Sequence, residues 1–255
     1  MAQKNVYNHV IDTASTVYII DGSSFLYRAY YGLKPLHTPQ GVQVQAVYSF
    51  CRMIEKLIDT FEPCFCALVW DSRGITMRHK IYPQYKATRM APPSDLSTQK
   101  ELIMHFADSI HMKQIAQENT EADDLMYSLA QELENSEHTI ILVTSDKDLG
   151  QALGRNSMIF DPFKDTIIDE QDFKKNMGFA IGKLSFYHAL LGDSSDNIPG
   201  VKGIGKKSAT DLVAQFESLE DLYNHLDYVK SERIRSVLIA NRDNAFLSEK
   251  LFKLH

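Results

Sequence analysis

Three short apolar runs in this chain each deliver an aspartate: Asp21 follows Tyr18–Ile20, Asp71 follows Leu68–Trp70, and Asp146 follows Leu142–Ser145. With Ser157–Phe160 added, the runs Val17–Ile20, Phe65–Trp70 and Thr139–Val143 read as buried strands. The segments Val44–Thr60, Leu96–Ile110 and Ala122–Glu134 carry apolar residues three or four apart, as helices do. Strands alternating with helices of this length imply crossover units and an α/β fold with a mostly parallel central sheet covered on both faces. In such sheets the ligand crevice lies beyond the carboxyl ends of the strands. Three strands therefore bring carboxylates to one edge.

Nine acids fall in five clusters: Asp21; Asp71; Glu121, Asp123 and Asp124; Asp146 and Asp148; and Asp193 and Asp196. Gathered carboxylates repel unless a cation intervenes, and hard divalent ions with oxygen ligands, Mg²⁺ above all, are the usual partners beside phosphate. Each cluster also has a plainer reading. Thr120 and Asp123 make a passable capping box, and acids suit a helix N-terminus; that accounts for one or two acids, not three in four residues. Asp146 and Asp148 alone fit a surface turn as well, and Asp193 and Asp196 could be turn-formers beside Gly192. The joint placement at strand ends is what favours metal-dependent phosphate chemistry.

Bulk properties leave the partner open. The net charge of −6 argues against nucleic acid at first, but the nine clustered acids exceed that sum, so the remainder of the chain is net positive. Bound cations would neutralise the acidic sites locally. A hydrophobic content of 44% supplies a packed core, suiting one large domain or a core with an appendage. The apolar runs are strand-sized, far below the ~20 residues that span a bilayer. Three cysteines, with Cys64 and Cys66 read as core packing, form no disulfide framework and suit a reducing cytoplasm.

Two further segments carry signals. Arg78–Arg89 interleaves Arg78, Lys86 and Arg89 with Tyr82 and Tyr85, a combination that suits single-stranded nucleic acid through phosphate contacts and base stacking. A solvated face is the plainer alternative. Gly200–Ala209 contains Lys202, Gly203, Gly205, Lys206 and Lys207. A glycine-rich turn opening a helix lets backbone N–H groups approach a phosphate, and the spacing is not that of a P-loop. A helix–turn–helix packing corner is the alternative; a sequence-independent grip on a DNA backbone explains the lysines better.

Taken in order, Asp21–Tyr30, Tyr82–Arg89, Glu121–Asp124, Thr144–Leu149 and Gly192–Gly205 resemble the 5′-nuclease, or flap endonuclease-like, family, with the closest likeness to the 5′→3′ exonuclease domains of bacterial DNA polymerase I. The resemblance implies a PIN-like core over residues 17–182 with a helical arch at about 73–93, a helix–hairpin–helix-type duplex-binding region over 183–255, and a leading extension, 1–16, without a family counterpart. It implies that all nine acids are ligands of two Mg²⁺ or Mn²⁺ ions, that Arg28, Arg78 and Lys86 act on the scissile phosphate, and that K⁺ sits at the Gly200–Ala209 turn. The expected partner is DNA with a 5′ single-stranded flap or end next to duplex, cut by a cytoplasmic bacterial monomer, free-standing or linked to a polymerase. A PIN-like ribonuclease and a catalytically inert DNA-binding module are the alternatives.

Overall fold

The computed structural model describes residues 13–255, so most of the extension expected over residues 1–16 lies outside the described residues. In chain order the elements are β1 (Thr16–Asp21), α1 (Gly22–Gly32), α2 (Gln45–Phe61), β2 (Phe65–Val69), α3 (Met77–Ile81), α4 (Leu96–Ser109), β3 (Lys113–Ile115), α5 (Ala122–Leu133), β4 (Thr139–Val143), β5 (Ser157–Asp161) and β6 (Thr166–Ile168). Six helices follow: α6 (Glu170–Met177), α7 (Leu184–Leu191), α8 (Lys206–Gln215), α9 (Leu219–Asn224), α10 (Glu232–Ala240) and α11 (Arg242–Phe252). Among the described residues no helix is long and apolar enough to cross a membrane.

The sheet runs β3-β2-β1-β4-β5-β6. β1 pairs in parallel with β2 on one side and β4 on the other, with Ile20 opposite both Leu68 and Val143. The chain winds outward from β1 through β2 to β3, then returns to the far side of β1 for β4, so strand order reverses at β1. This switch point is where an open α/β sheet forms its crevice. Near-continuous apolar strands with both faces buried are what parallel pairing of this kind demands. On one face Tyr18, Ile20, Leu68 and Ile141 pack with Phe25 of α1, Phe50 and Ile54 of α2, and Ile103 of α4. The alternate residues Ile19, Ile140 and Leu142 are just as buried, and α5 runs against β1, β2 and β4.

The chain divides into two compact units. One runs to Gly74 and resumes over Ala91–Ile167; the other comprises Ile75–Met90 and Ile168–His255. The segment expected to stand on the sheet part as an arch thus belongs, over Ile75–Met90, with the C-terminal helices. The cause is apolar: Tyr85 is buried against Ile198, Leu251 and Phe252, with Tyr82 and Leu247 packed beside them.

Candidate active site

In the sheet unit the site begins at the carboxyl end of β1. Asp21 is 4% exposed. Its Oδ1 accepts the Ser24 amide at 2.8 Å, which caps α1, and its Oδ2 accepts the Thr144 hydroxyl at 3.1 Å. The same Thr144 oxygen accepts the Asp146 amide at 3.0 Å, and Asp146 in turn accepts the Asp148 amide at 2.9 Å. Parallel register makes this unavoidable, since Ile20 faces Val143 and the next residues of both strands meet beyond the sheet.

Asp71 enters from β2. Its amide donates to Ser23 Oγ at 2.8 Å, and its Oδ1 accepts the Ala122 amide at 2.8 Å. The capping box that was the plainer alternative at Thr120 does not start α5: Glu121 is the N-cap residue and makes no side-chain cap. A carboxylate 51 residues away satisfies the first helical N–H instead. The α5 terminus is therefore locked to the β2 end, and it sets Glu121 and Asp124 in buried positions, with Asp123 half-buried.

Burial pushes the Asp21 carboxyl up to about 6, with the nearby Asp71 charge acting in the same direction against the Ser24 and Thr144 hydrogen bonds. A carboxylate held this way gains most from a cation. Every donor at this edge is a hard oxygen, which fits a Mg²⁺-type ion and suits zinc or copper poorly. Among the described residues no three acids, imidazoles or thiols close into a cage by themselves. Mg²⁺ sites rarely need one, since waters and substrate phosphate complete the shell. Arg28 lies on the exposed side of α1, its guanidinium 4.3 Å from the Phe163 ring centre.

A cleft of about 470 Å³ opens beside Asp71, lined by Ser23, Tyr27, Arg73, Ser97 and Lys100 among others. Sequence reasoning singles out neither Ser23, Thr144 nor Lys100. The two hydroxyls stand inside the acidic motifs, where a hydroxyl next to a clustered carboxylate is a usable signal. Lys100 sits within a helical pattern that reads as ordinary packing.

In the C-terminal unit several expected roles change. Arg78 is only 6% exposed and donates from Nε to the Leu251 carbonyl at 2.7 Å and from Nη2 to the Lys253 carbonyl at 3.1 Å. It thereby satisfies carbonyls at the C-terminal end of α11; this is a structural clasp rather than a cation presented to phosphate. Tyr85, expected to stack on a base, is buried, and its hydroxyl lies 3.3 Å from Asp196 Oδ2. Asp196 accepts hydrogen bonds from the Arg89 guanidinium and has Lys86 Nζ at 4.0 Å. In this conformation it is a countercharge for the 75–90 segment. Lys86 itself adopts a left-handed backbone, φ +58°, held by its amide on the Asp196 carbonyl at 2.9 Å.

Asp193 accepts the amide and hydroxyl of Ser195 and pairs with Ile198 across a two-bond bridge. The base of that loop is shut by Gly192 and Gly200, both at positive φ; a Cβ on Gly200 would fall 2.3 Å from the Gly192 nitrogen. Past the loop, the Gly200–Ala209 turn leads into α8 with Gly205 as its N-cap residue. Lys202, Gly203, Gly205, Lys206 and Lys207 are all exposed. The Gly203 carbonyl accepts Arg233 Nη2 at 3.4 Å.

Comparison with known proteins assigns the family. A family model described as "5′-3′ exonuclease, N-terminal resolvase-like domain" matches residues 16–178, and one described as "5′-3′ exonuclease, C-terminal SAM fold" matches residues 182–255. DNA polymerase I of Caldicellulosiruptor bescii is 37% identical over 239 residues, covering 91% of this chain and 28% of that protein. The chain thus spans under a third of the polymerases it matches. A 5′-3′ exonuclease of Aquifex aeolicus is 32% identical over 240 residues, covering 94% of this chain and 82% of that protein. The T5 D15 flap endonuclease, solved as a pseudo-enzyme–product complex with DNA and metal ions, shares the fold at a TM-score of 0.74 and 18% identity, over 93% of this chain and 88% of that one. Since the two family models cover nearly every residue from 16 onward, and the similarity to the A. aeolicus exonuclease extends over most of both chains, the chain belongs to the 5′–3′ exonuclease family.

Proposed function

We propose that the chain hydrolyses DNA phosphodiesters at 5′ ends and 5′ flaps next to duplex, with two Mg²⁺ or Mn²⁺ ions held by its clustered acids. The observation that carries this reading is the buried Asp21 carboxylate, raised by burial and by Asp71, at the carboxyl ends of β1 and β2. Asp21, Asp71, Glu121, Asp123, Asp124, Asp146 and Asp148 are the ligands we propose in the sheet unit; Asp193 and Asp196 are those of the C-terminal unit. When bound, such ions activate water and stabilise the leaving oxygen of a phosphodiester.

The protein's own share is positioning. Thr144 and Ser24 fix the Asp21 rotamer by donating to its two oxygens, and the α5 amide of Ala122 does the same for Asp71. Arg28, on the exposed side of α1, is the cation we propose to orient the phosphate, and Lys86, in the C-terminal unit, is the one we propose to stabilise developing charge. The turn at Gly200–Ala209, with its exposed lysines, grips duplex backbone without reading sequence, and its carbonyls are our proposed K⁺ ligands. The reading includes a monomer that works beside, or joined to, a DNA polymerase in a bacterial cytoplasm, a setting that suits three free cysteines.

The test is cleavage of a 5′-labelled flap duplex with Mg²⁺, Mn²⁺, or chelator. Cleavage near the junction only with a divalent ion is expected. No cutting of the DNA flap under any metal would end this reading, and preference for an all-RNA flap would favour the ribonuclease alternative.

A further inference from the structure

Phe163, in the hairpin between β5 and β6, touches two residues of α1. Its ring centre lies 4.3 Å from the Arg28 guanidinium carbon and 6.0 Å from the centre of the Phe25 ring. Phe25 and Arg28 are three apart on α1 and so share a face, with Phe25 buried and Arg28 exposed. Phe163, half-buried, therefore joins the core through one contact and carries an exposed cation through the other. Packing accounts for the first. The second acts on freedom: a surface arginine is otherwise spread over many rotamers, ordering it on binding costs entropy, and a ring face removes part of that freedom beforehand.

The hairpin is built to hold this ring still. Asp161, at the end of β5, is 3% exposed; its Oδ1 accepts the Phe163 amide at 3.0 Å and the Lys164 amide at 3.3 Å, and its Oδ2 accepts the Lys164 ammonium. An aspartate that closes a turn on its own backbone, with Pro162 fixing φ in between, leaves the chain little freedom at Phe163. Asp165 completes the reversal in a left-handed conformation, φ +55°. The guanidinium held by the ring is otherwise uncommitted: among the described residues it makes no hydrogen bond and no ion pair. A ring holds a guanidinium through its flat face, so the N–H donors along the edge stay available, and bidentate phosphate contact uses that edge. We infer that Phe163 is a positioning residue, whose ring orders the Arg28 guanidinium before DNA arrives and leaves its donor edge for a phosphodiester. The inference deepens the proposed function and rests on its assignment of Arg28 to the phosphate.

The test is a double-mutant cycle read by single-turnover cleavage of a 5′-flap duplex in Mg²⁺. Phe163→Leu keeps apolar volume against Phe25 and removes the ring face; Phe163→Tyr keeps the face. Phe163→Leu should slow cleavage about three- to tenfold, the size of an exposed contact between a cation and a ring, and Phe163→Tyr should cut at the wild-type rate. In an Arg28→Ala background, Phe163→Leu should cost nothing more. A purely structural Phe163 would slow both backgrounds alike; that result, or a Phe163→Leu enzyme as fast as wild type, would overturn the inference. If the wild type cuts no flap, the nuclease reading fails, and the same cycle is read as affinity for the flap duplex in chelator, by fluorescence anisotropy. Losses there confined to the Arg28 background support the positioning role, and additive or absent losses overturn it. Should Phe163→Leu not fold, the Arg28 Nε–H resonance of the wild type decides by NMR. A ring-current shift from the free-arginine position, in a resonance that flap duplex perturbs, supports the inference. A resonance at the free-arginine position, or one that flap duplex leaves in place, overturns it.

Discussion

At the scale of single residues, Asp21 sets the energetics of the sheet edge. Its folded-state carboxyl titrates near 6, against an ordinary aspartate value near 3.8. The folded protein therefore binds this proton more tightly than the unfolded chain does. Below about pH 4 the group is protonated in both states and contributes nothing; from there to above 6 a growing penalty falls on the folded state, reaching about 3 kcal/mol. Metal-free protein should lose stability as pH rises through this window, and Asp21→Asn should raise its Tm at pH 7.5 by several degrees while leaving Tm at pH 4 nearly unchanged. Added Mg²⁺ should stabilise the wild type much more than the variant. A variant less stable than wild type at pH 7.5 without metal would show that Asp21 is not a strained carboxylate. Arg78 is the contrasting case. Removing its guanidinium strands the Leu251 and Lys253 carbonyls, so Arg78→Ala should cost on the order of 2–3 kcal/mol in thermal unfolding without any DNA present. A variant with unaltered Tm but a much slower cleavage step would restore Arg78 to the catalytic role that the family resemblance implied.

At the scale of elements, the loop Asp193–Ile198 depends on two glycines whose backbones touch. Gly200 sits at φ +57°, and an added Cβ would meet the Gly192 nitrogen at 2.3 Å and the Leu191 carbonyl carbon at 2.5 Å. Backbone cannot step aside as a side-chain tip can, so Gly200→Ala should cost at least ~1–3 kcal/mol. Hydrogen exchange should show the Asp193 and Ile198 amides, which bond each other's carbonyls at 2.9 and 2.7 Å, losing protection while β4 amides keep theirs. Unchanged protection at both loop amides would mean that the loop is held by other interactions. The same scale shows what a sequence can tell. Val17–Ile20 and Thr139–Val143 were legible because a strand buried on both faces must be apolar throughout, and the boundaries came within a residue of Thr16–Asp21 and on Thr139–Val143. The three-residue strands Lys113–Ile115 and Thr166–Ile168 were not, because neither has a run long enough to show a period; β3 exists by pairing with β2. The acids at the strand ends were legible as a set. Their rigid framework was not, since Asp71 caps α5 and Thr144 reaches Asp21 from 51 and 123 residues away. Nor was the burial of Tyr85, whose partners Leu251 and Phe252 lie far along the chain and give the 75–90 segment no local mark.

At the scale of the whole molecule, the chain carries −6 overall yet belongs to a family that works on nucleic acid, so its cations must be concentrated rather than spread. The acidic residues at the β1 and β2 ends repel phosphate as they stand, and on the proposed reading divalent cations neutralise them, while the exposed Lys202, Lys206 and Lys207 around the α8 N-terminus can attract backbone without such ions. Affinity and chemistry are in that case separable: duplex binding should survive chelation of divalent ions, whereas cleavage should not. The lysines give the quantitative form of this. Each phosphate that a lysine neutralises releases condensed counterion and adds about 0.9 to the steepness of log K against log salt on B-form duplex. Changing Lys206 and Lys207 together to alanine should lower that slope by roughly 2, equally for unrelated sequences, when binding is followed by fluorescence anisotropy in chelator across a salt series. The Tm should hardly move, because both side chains are exposed and neither has a partner among the described residues. Single-stranded DNA of equal length should be held almost as tightly as before, since its binding is assigned to other cations. An unchanged slope on duplex would mean that these lysines only solvate the start of α8, and the duplex grip would then have to rest on the backbone N–H groups of the turn, which salt screens in the same way but alanine leaves in place.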